Sequence, residues 1–536
     1  MSKSPFVQNL ISSRICVAVL TGGFMALVFL QQHCLAGQEA SGVTESVVTK
    51  SVVVPPSQQA NVVIILVDDM GFGDAGCFNG QSKIPTPAID SLAAEGMKFT
   101  DAHASGPLCH LSRYGLLTGQ YPFRANPAAW KERPTIAKGQ TTIASHLQKA
   151  GYRTAMVGKW HLGFKENGYE NRLPGGPVDR GFDSFYGIRA STDIPPYFFI
   201  RDRRAVMPPT DRIDSNHSEG WSRIQGAFWR EGGISPDLKL QDVLPEFTNE
   251  AISVIEKHAS RSAGEARPKP LMMYLAYPAP HTPWLPSEEF AGKSQVGMYG
   301  DFMMMVDAEI GRVLKTLDKA NMKEDTLVIF TSDNGPCWYE EDDERFQHDS
   351  SGGFRGMKAD AWEGGHRMPF VCRWPAKVKA GASSKQMICF TDILATLADM
   401  VAMPLEDNEG PDSFSFYPEL TGTKRTERAR TEFVMETGSK LKMIRSISYR
   451  HGDWKLIDGL GSGGFTKPRR VKPTAGGPMA QLYDLKNDPG ERNNQLEAAN
   501  KKTSKMKSQL ESRMRQIMGA KSHRLLVDSE VVGEVK

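Results

Sequence analysis

The strongest constraint on the fold of this chain is a series of apolar segments that alternate with helical patterns. The apolar runs occupy residues 61–67, 154–157, 271–277 and 326–331. A short, continuous apolar run is typical of a strand that is buried on both faces of a parallel sheet. Helical patterns lie between these runs, at about residues 87–95, 246–258 and 301–320. Strands that alternate with helices predict an α/β domain with a mixed, mostly parallel sheet flanked by helices.

Polar residues whose side chains could take part in binding or catalysis follow each of the four predicted strands. In chain order they are Asp68 and Asp69, then Lys159 and His161, then His281, and finally Asp333 and Asn334. In open α/β sheets, ligands bind outside the carboxyl ends of the strands. We therefore expect these side chains to meet at one site.

The pattern changes after about residue 425. Short strand-like segments at 445–449 and 454–457 precede a turn at 487–490 and a helical pattern over 493–518. We predict a small C-terminal α+β domain with an antiparallel sheet here. The predicted organisation is a large catalytic domain at 60–425, a C-terminal subdomain at 426–520 and a loosely held tail at 521–536.

The first 36 residues have the pattern of a secretory signal peptide. Lys3 and Arg14 give a basic start, and residues 15–30 are mostly apolar. Cleavage is expected near Ala36, with export to the periplasm or the medium. An uncleaved membrane anchor is the alternative, although the apolar run is shorter than the roughly 20 residues of a full span. Residues 37–59 are rich in Ser, Val, Thr, Gln and Pro and are predicted to form a linker.

Charge and cysteine content exclude some classes of protein. The chain has 65 Lys and Arg against 62 Asp and Glu, and no basic block stands out, so no nucleic-acid partner is predicted. No membrane span is expected in the mature chain. Cleavage at Ala36 would leave Cys77, Cys109, Cys337, Cys372 and Cys389. This odd number leaves at least one cysteine outside any disulfide, and no C-x-x-C metal motif occurs.

The oxygen-bearing residues at two of the strand ends suggest a metal site. Asp68, Asp69 and Asp333 are carboxylates, and Asn334 adds an amide oxygen. Ligand sets of oxygen alone suit Ca²⁺ or Mg²⁺, and the carboxylates would repel one another without a cation. Taken separately, Asp-Asp and Asp-Asn-Gly are also ordinary turn sequences.

A second cluster lies in the segment from Cys109 to Gly119. If Cys109 begins a helix, Arg113 lies one turn further on the same face. A cysteine at the positive end of a helix beside a guanidinium group would favour an anionic ligand. A lone cysteine is otherwise most often a small buried apolar residue.

These segments resemble the sulfatases. Residues 109–113 resemble the family motif C-x-P-x-R, and residues 151–161 match G-Y-x-T-x-x-x-G-K-W-H in full. Similar stretches are found at 85–90, 280–283, 332–335, 355–358, 363–365 and 482–489, so the resemblance covers about residues 60–500. The motif departs from the family at Leu111, where sulfatases have the proline that helps the maturation enzyme to recognise the cysteine.

The resemblance implies a reaction and a set of roles. Cys109 would be oxidised to formylglycine (3-oxoalanine) by a formylglycine-generating maturation enzyme and would attack sulfur beside a calcium ion, with magnesium the less suitable metal. Asp68, Asp69, Asp333 and Asn334 would hold the metal together with residue 109. The other implied roles are Arg113 stabilising the nucleophile, Lys159 and Lys358 binding the sulfate, His281 protonating the leaving group with Lys358 as a possible helper, and His161 acting as a base.

Several points stay open at the level of sequence. Ser191 is a candidate sulfate contact or a plain loop serine. The substrate is an aryl or carbohydrate sulfate, either a small molecule or a polysaccharide. One alternative is a phosphoesterase of the same superfamily, and the other is a non-catalytic protein that binds sulfated glycans and keeps Cys109 as a thiol, which the departure at Leu111 allows.

Overall fold

The computed structural model describes residues 59–266, 268–424, 429–437, 445–498 and 500–534. The predicted signal peptide and almost all of the predicted linker lie outside these residues. Within them, none of the helices has the length and apolar character that a membrane crossing requires.

A ten-stranded sheet forms the centre of the molecule. The strands before residue 390 are β1 (Asn61–Val67), β2 (Met97–Phe99), β3 (Ala102–His103), β4 (Arg153–Lys159), β5 (Ser184–Ile188), β6 (Ile200–Arg201), β7 (Arg204–Ala205), β8 (Asp211–Ile213), β9 (Gly232–Ile234), β10 (Leu271–Ala276), β11 (Thr326–Ser332), β12 (Phe370–Arg373), β13 (Ala382–Ser384) and β14 (Ile388–Cys389). The sheet order is β13-β2-β12-β11-β1-β10-β4-β5-β6-β7. The pairs from β11 through β1, β10 and β4 to β5 are parallel, whereas β12, β6 and β7 pair antiparallel with their neighbours. The predicted mixed, mostly parallel sheet is confirmed.

Helices cover both faces of this sheet. They are α1 (Pro87–Ala94), α2 (Cys109–Thr118), α3 (Ile143–Lys149), α4 (Val243–Ala263), α5 (Gly297–Lys319), α6 (Glu340–Phe346), α7 (Asp392–Met400) and α8 (Tyr417–Thr421). Val62, Ile64 and Leu66 of β1 pack in a core with α2, α3 and α7. The alternate residues of β1 pack on the other face with α1, α4 and α5. Because successive side chains of a strand point to opposite faces, burial on both faces explains why β1 is apolar throughout.

The C-terminal part forms a small antiparallel sheet. Its elements are β15 (Glu432–Glu436), β16 (Ile447–His451), β17 (Trp454–Asp458), β18 (Ala480–Asp484), α9 (Lys501–Gly519) and α10 (His523–Glu534). The four strands pair in sequence order and are antiparallel. Their apolar core includes Tyr121, Met387 and Cys389, which precede the predicted boundary. The predicted boundary, at residues 425 and 426, falls on positions outside the described part of the chain.

Two elements near the C-terminus differ from the sequence prediction. The helix expected over 493–518 begins only at Lys501, because the side chain of Asn500 caps it by accepting hydrogen bonds from the amides of Lys502 and Thr503. The expected loose tail contains α10 instead. His523 at its start is buried and contacts Glu432 Oε1 at 3.1 Å, and this contact holds the segment against the small sheet.

Candidate active site

The carboxyl ends of four adjacent parallel strands bring the predicted polar residues together. Asp68 and Asp69 follow β1, Lys159 ends β4, His281 follows β10, and Asp333 and Asn334 follow β11. All six of these side chains are buried. Hydrogen bonds and ion pairs connect them into one cluster, as the position of ligand sites in open α/β sheets predicts.

Asp69 links three segments that are distant in the sequence. Its backbone has a φ of 66°, in the left-handed region that an aspartate adopts more readily than most residues. Asn334 Nδ2 donates to Asp69 Oδ1 over 2.6 Å, and Lys358 Nζ lies 2.6 Å from the same oxygen. The backbone amide of Asp69 in turn donates to Asp333 Oδ1 over 3.3 Å. Asp69 therefore joins the ends of β1 and β11 to the loop that carries Lys358.

Arg113 crosses the floor of the site and is fully buried. Its Nε donates to Asp333 Oδ2 over 2.9 Å, and its Nη2 donates to Asp68 Oδ2 over 3.2 Å. Its Nη1 donates to the carbonyl oxygen of Lys159 over 3.0 Å. The rigid fork of a guanidinium group suits this bridging, so Arg113 fixes two carboxylates relative to the end of β4.

Cys109 is the first residue of α2 and points its thiol at the carboxylates. Its Sγ lies 3.3 Å from Asp68 Oδ1, and the residue is 4% exposed. Burial, together with Asp333 and Asp68, raises the pKa of the Cys109 thiol well above its usual value. The preceding Leu108 offers no side-chain cap to α2, so the amides of the first helical turn are left for another partner. The unmodified thiol is thus a poor nucleophile, although its position beside the carboxylates and cations suits a nucleophile.

Leu111, where the resembling family has proline, fills an apolar contact. Its side chain is buried in a cluster with Leu108 and Ala359, and Phe465 from the C-terminal part packs against this cluster. The position is the third residue of α2, inside its first turn. Leu111 therefore makes apolar contacts that the smaller proline ring would make only in part.

Buried cations balance the buried carboxylates. Burial raises the pKa of the Asp68 carboxyl, but nearby Lys159, His281 and Arg113 outweigh that effect and hold its pKa well below the usual range. Lys159 Nζ forms a short ion pair with Asp68 Oδ2. Burial lowers the pKa of Lys358, but Asp69 outweighs it and raises that pKa well above the usual value. Asp68 is therefore ionised and Lys358 protonated, and buried positive and negative side chains lie in direct contact.

The donor atoms fit a hard cation. Asn334 Oδ1 is buried and makes no hydrogen bond, while its Nδ2 faces Asp69 Oδ1. The carboxylates of Asp68, Asp69 and Asp333 belong to the same buried cluster. Burial and the neighbouring Asp68 raise the pKa of the Asp333 carboxyl to about 6, against the opposing effect of Arg113. An oxygen-rich set with an unpaired amide oxygen matches Ca²⁺ ligands.

The two histidines predicted for the site, His281 and His161, differ in their surroundings. His281 Nδ1 contacts the carbonyl oxygen of Thr282 at 2.7 Å, and Nε2 lies 3.6 Å from Asp69 Oδ2. The carbonyl can only accept, so Nδ1 carries a proton and Nε2 faces the site. His161 packs edge-on against Trp130, with ring centroids 4.3 Å apart, and its Nδ1 has no partner. Burial lowers the pKa of His161 well below its usual value, so this ring is neutral.

Ser191 does not contact the cluster in this structure. It is 3% exposed, and its hydroxyl makes no hydrogen bond. It lines a small cavity beneath its loop together with Tyr197 and Leu238. Its assignment as a sulfate contact remains a prediction.

Comparison with known proteins adds the family. A model of the family described as Sulfatase matches residues 60–403, more than half of the chain. The chain belongs to the sulfatase family. An N-acetylgalactosamine-6-O-sulfatase of Bacteroides thetaiotaomicron is 33% identical to this sulfatase over 484 residues, which cover 82% of this chain and 90% of that protein. Arylsulfatase A of Homo sapiens is 30% identical over 457 residues, or 81% of this chain and 83% of that protein.

Solved structures give the same fold. A Bacteroides thetaiotaomicron protein described in connection with the metabolism of multiple glycosaminoglycans aligns with a TM-score of 0.73 and 31% identity. The alignment covers 86% of this sulfatase and all of that chain. A Pseudoalteromonas sulfatase aligns with a TM-score of 0.65 at 23% identity, over 88% of this chain and 92% of that one. Sulfatases hydrolyse sulfate esters, so this chain is a hydrolase of that class.

The sequence analysis of this sulfatase missed Asp193 and His110 beside the site. Asp193 Oδ1 is buried without a hydrogen-bond partner and lies 4.0 Å from His281 Nδ1. His110 follows Cys109, and its Nε2 is also buried and unpaired. No spacing pattern distinguishes these residues from loop and core positions, although His110 could have been found from its place next to Cys109. The five cysteines within the described residues are all free thiols.

Proposed function

We propose that this sulfatase hydrolyses sulfate esters of carbohydrates, with a formylglycine made from Cys109 and a bound calcium ion. One observation carries the proposal: Cys109 begins α2 with its Sγ 3.3 Å from Asp68 Oδ1, inside a buried cluster of carboxylates and cations. Residue 109 therefore lies beside the candidate metal ligands and near the lysines that would bind the sulfate group of the substrate.

The side chains at the site suit both a calcium ion and a formylglycine at residue 109. Asp68, Asp69, Asp333 and Asn334 would hold calcium, and residue 109 would join them from the start of α2. When bound, the metal and the formylglycine supply an oxygen nucleophile at neutral pH and positive charge beside it. The unpaired Asn334 Oδ1 and the uncapped helix start support this assignment.

The cations of the site would act on the sulfate group. Lys159 and Lys358 are buried next to Asp68 and Asp69, and their ammonium groups would bind sulfate oxygens and oppose negative charge that develops in the transition state. Arg113 would hold the carboxylates and the nucleophile in place through its fixed fork. A buried site strengthens these interactions because water screens them little.

Proton transfers fall to the histidines. His281 directs Nε2 into the site while the Thr282 carbonyl holds a proton on Nδ1. In the doubly protonated ring, Nε2 would carry the proton that the leaving oxygen takes. Lys358 would be a second donor for that oxygen. His161 is neutral because of its burial and would accept a proton from the nucleophile.

The substrate class rests on the relatives. The Bacteroides relative is named for the 6-sulfate of N-acetylgalactosamine, and the comparisons include further sulfatases with that name. We therefore propose a saccharide sulfate rather than a simple aryl sulfate. The proposed location is the periplasm or the medium after cleavage near Ala36, which N-terminal sequencing of the exported protein tests.

The deciding experiment is mass analysis of the tryptic peptide 99–113 from the native host, combined with sulfate release from sulfated saccharides. We expect the aldehyde at residue 109 and turnover that Cys109→Ala abolishes. A pure thiol with no turnover but with binding of sulfated glycans would favour the non-catalytic alternative. Release of phosphate but not sulfate would favour the phosphoesterase.

A further inference from the structure

A short basic segment lies on the C-terminal part of the molecule. Residues 467–472 read Lys-Pro-Arg-Arg-Val-Lys. The basic segment, as we call these six residues, is exposed throughout. Within the described part of the chain, Lys467, Arg469, Arg470 and Lys472 make no ion pair and no side-chain hydrogen bond. The sequence analysis found no basic block, and these four cations among six residues correct that statement.

Backbone hydrogen bonds hold the basic segment in place. The amide of Val471 donates to the carbonyl of Leu460 over 3.0 Å. The amides of Ser462 and Gly463 donate to the carbonyls of Pro468 and Arg469 over 3.1 and 3.0 Å. The segment is thus the second arm of a paired loop, and its cations project from a fixed backbone.

The residues just before the basic segment are anchored at the active site. Phe465 packs against Leu108 and Ala359, which are the chain neighbours of Cys109 and Lys358. The amide of Phe465 donates to Asp360 Oδ1 over 2.7 Å, and the hydroxyl of Thr466 donates to Asp360 Oδ2 over 2.5 Å. Asp360 belongs to the same loop as Lys358. At no more than about 3.6 Å per residue, the segment begins within roughly two residues' reach of these anchors.

The charge of Arg469 acts on Tyr339, which lies in the wall of the site. Burial and nearby Cys337 raise the pKa of Tyr339 to about 12, and the charge of Arg469 acts in the opposite direction. Arg469 is therefore close to the segment that leads from Asn334 to α6. The basic segment therefore begins directly after two residues that contact Leu108, which precedes α2, and the Lys358 loop.

We propose that the basic segment binds a second anionic group of the substrate, so that the preferred substrate is a saccharide carrying sulfate or carboxylate groups beyond the ester that is cleaved. The inference rests on the proposed function and names the substrate more closely. Clusters of Lys and Arg on a surface bind polyanions such as sulfated glycans. Four cations with no protein partner keep their charge available for such a ligand.

Direct binding tests the proposal without requiring turnover. The variant Lys467→Gln/Arg469→Gln/Arg470→Gln/Lys472→Gln is compared with Lys502→Gln/Lys505→Gln, which removes exposed charge from α9. The probe is dextran sulfate, with unsulfated dextran as the neutral control. We expect about tenfold or greater weakening of dextran sulfate binding in the first variant only, since each exposed pair contributes modestly, and a weaker dependence of Kd on salt. Equal affinities for the two variants would overturn the proposal.

Kinetics and a competing polyanion complete the test. Hydrolysis of a monosulfated monosaccharide should be unchanged in the first variant, while KM for a polysulfated oligosaccharide rises about tenfold. Equal losses on both substrates would mean that the segment merely supports the active site, and the proposal would fail. Equally tight binding of single-stranded DNA, lost in the same variant, would make the segment a general polyanion surface and also overturn it. Absence of turnover in the wild type would count against the proposed function. The comparison of dextran sulfate binding would still test the role of the basic segment by itself.

Discussion

Lys358 Nζ lies 2.6 Å from Asp69 Oδ1, although the two residues are 289 positions apart in the chain. This contact joins the end of β1 to a loop that the C-terminal part secures. Asp360 in that loop accepts hydrogen bonds from Phe465 and Thr466, and Glu363 accepts one from Lys455 Nζ over 3.0 Å. The small sheet therefore helps to place a lysine of the candidate active site.

The metal assignment is tested by Asp333→Asn, which keeps the shape of the side chain and removes its charge. Calcium should raise the melting temperature of the wild type, because a ligand at a hundredfold excess over its Kd stabilises the fold by about 2.7 kcal/mol. The variant should lose this gain and its turnover. Asp237→Asn, at an exposed carboxylate outside the site, should behave as the wild type. Identical melting of the wild type in calcium and in EDTA would remove calcium from the model of the site.

Much of this site could be predicted because it lies at strand ends. Val67 leads directly to Asp68 and Ser332 to Asp333, so the positions of these carboxylates follow from the sheet. Lys358 and Phe465 could be assigned no location in this way, because they lie in loops whose placement depends on contacts between distant segments. The capping of α9 by Asn500 was similarly missed, since a helical pattern does not show where the helix begins.

The role of His281 is tested by the dependence of rate on the leaving group. His281→Gln should lower kcat for saccharide sulfates by about 10²- to 10⁴-fold, the usual contribution of a general acid. The same variant should change the hydrolysis of 4-nitrophenyl sulfate far less, because nitrophenolate leaves without a proton. A set of aryl sulfates with leaving groups of rising pKa should show a steeper dependence in the variant. Equal losses across the set would exclude His281 as the acid.

Acid sensitivity should arise partly from Glu432 in β15. Burial raises the pKa of this carboxyl, but hydrogen bonds from His523, Arg513 and Tyr449 outweigh it and hold the pKa well below the usual range. A carboxyl with a lowered folded-state pKa stabilises the fold above its unfolded pKa of about 4.3 and loses that contribution as the pH falls. Glu432→Gln should therefore lower stability at pH 7 by about 1 to 3 kcal/mol.

Melting temperatures measured over a range of pH test whether the stabilisation by Glu432 is lost as the pH falls. Melting temperatures of the wild type and Glu432→Gln should differ most near pH 7 and converge as the pH falls below about 4. A difference that stays constant from pH 7 to pH 3 would show that the glutamine acts through packing alone.

The departure at Leu111 makes a prediction about maturation. Leu111→Pro restores the C-x-P-x-R motif at the third residue of α2. The Pro107 carbonyl, four residues before Leu111, accepts the amide of Ala359 instead of a helical hydrogen bond, so proline would break no bond of the helix ladder. The substitution should cost about 1 to 2 kcal/mol through lost contacts with Leu108 and Phe465.

Expression in a host whose maturation enzyme reads only C-x-P-x-R separates folding from conversion. There, Leu111→Pro should raise the aldehyde fraction of the 99–113 peptide and the specific activity by the same factor. Leu111→Ala serves as the matched control, because it loses the same packing without creating the motif and should leave the aldehyde fraction unchanged. Since the active species is the oxidised residue, activity divided by aldehyde content should be constant across the wild type and both variants. If activity instead followed total protein, or survived in Cys109→Ala, the nucleophile would have to be a residue other than 109.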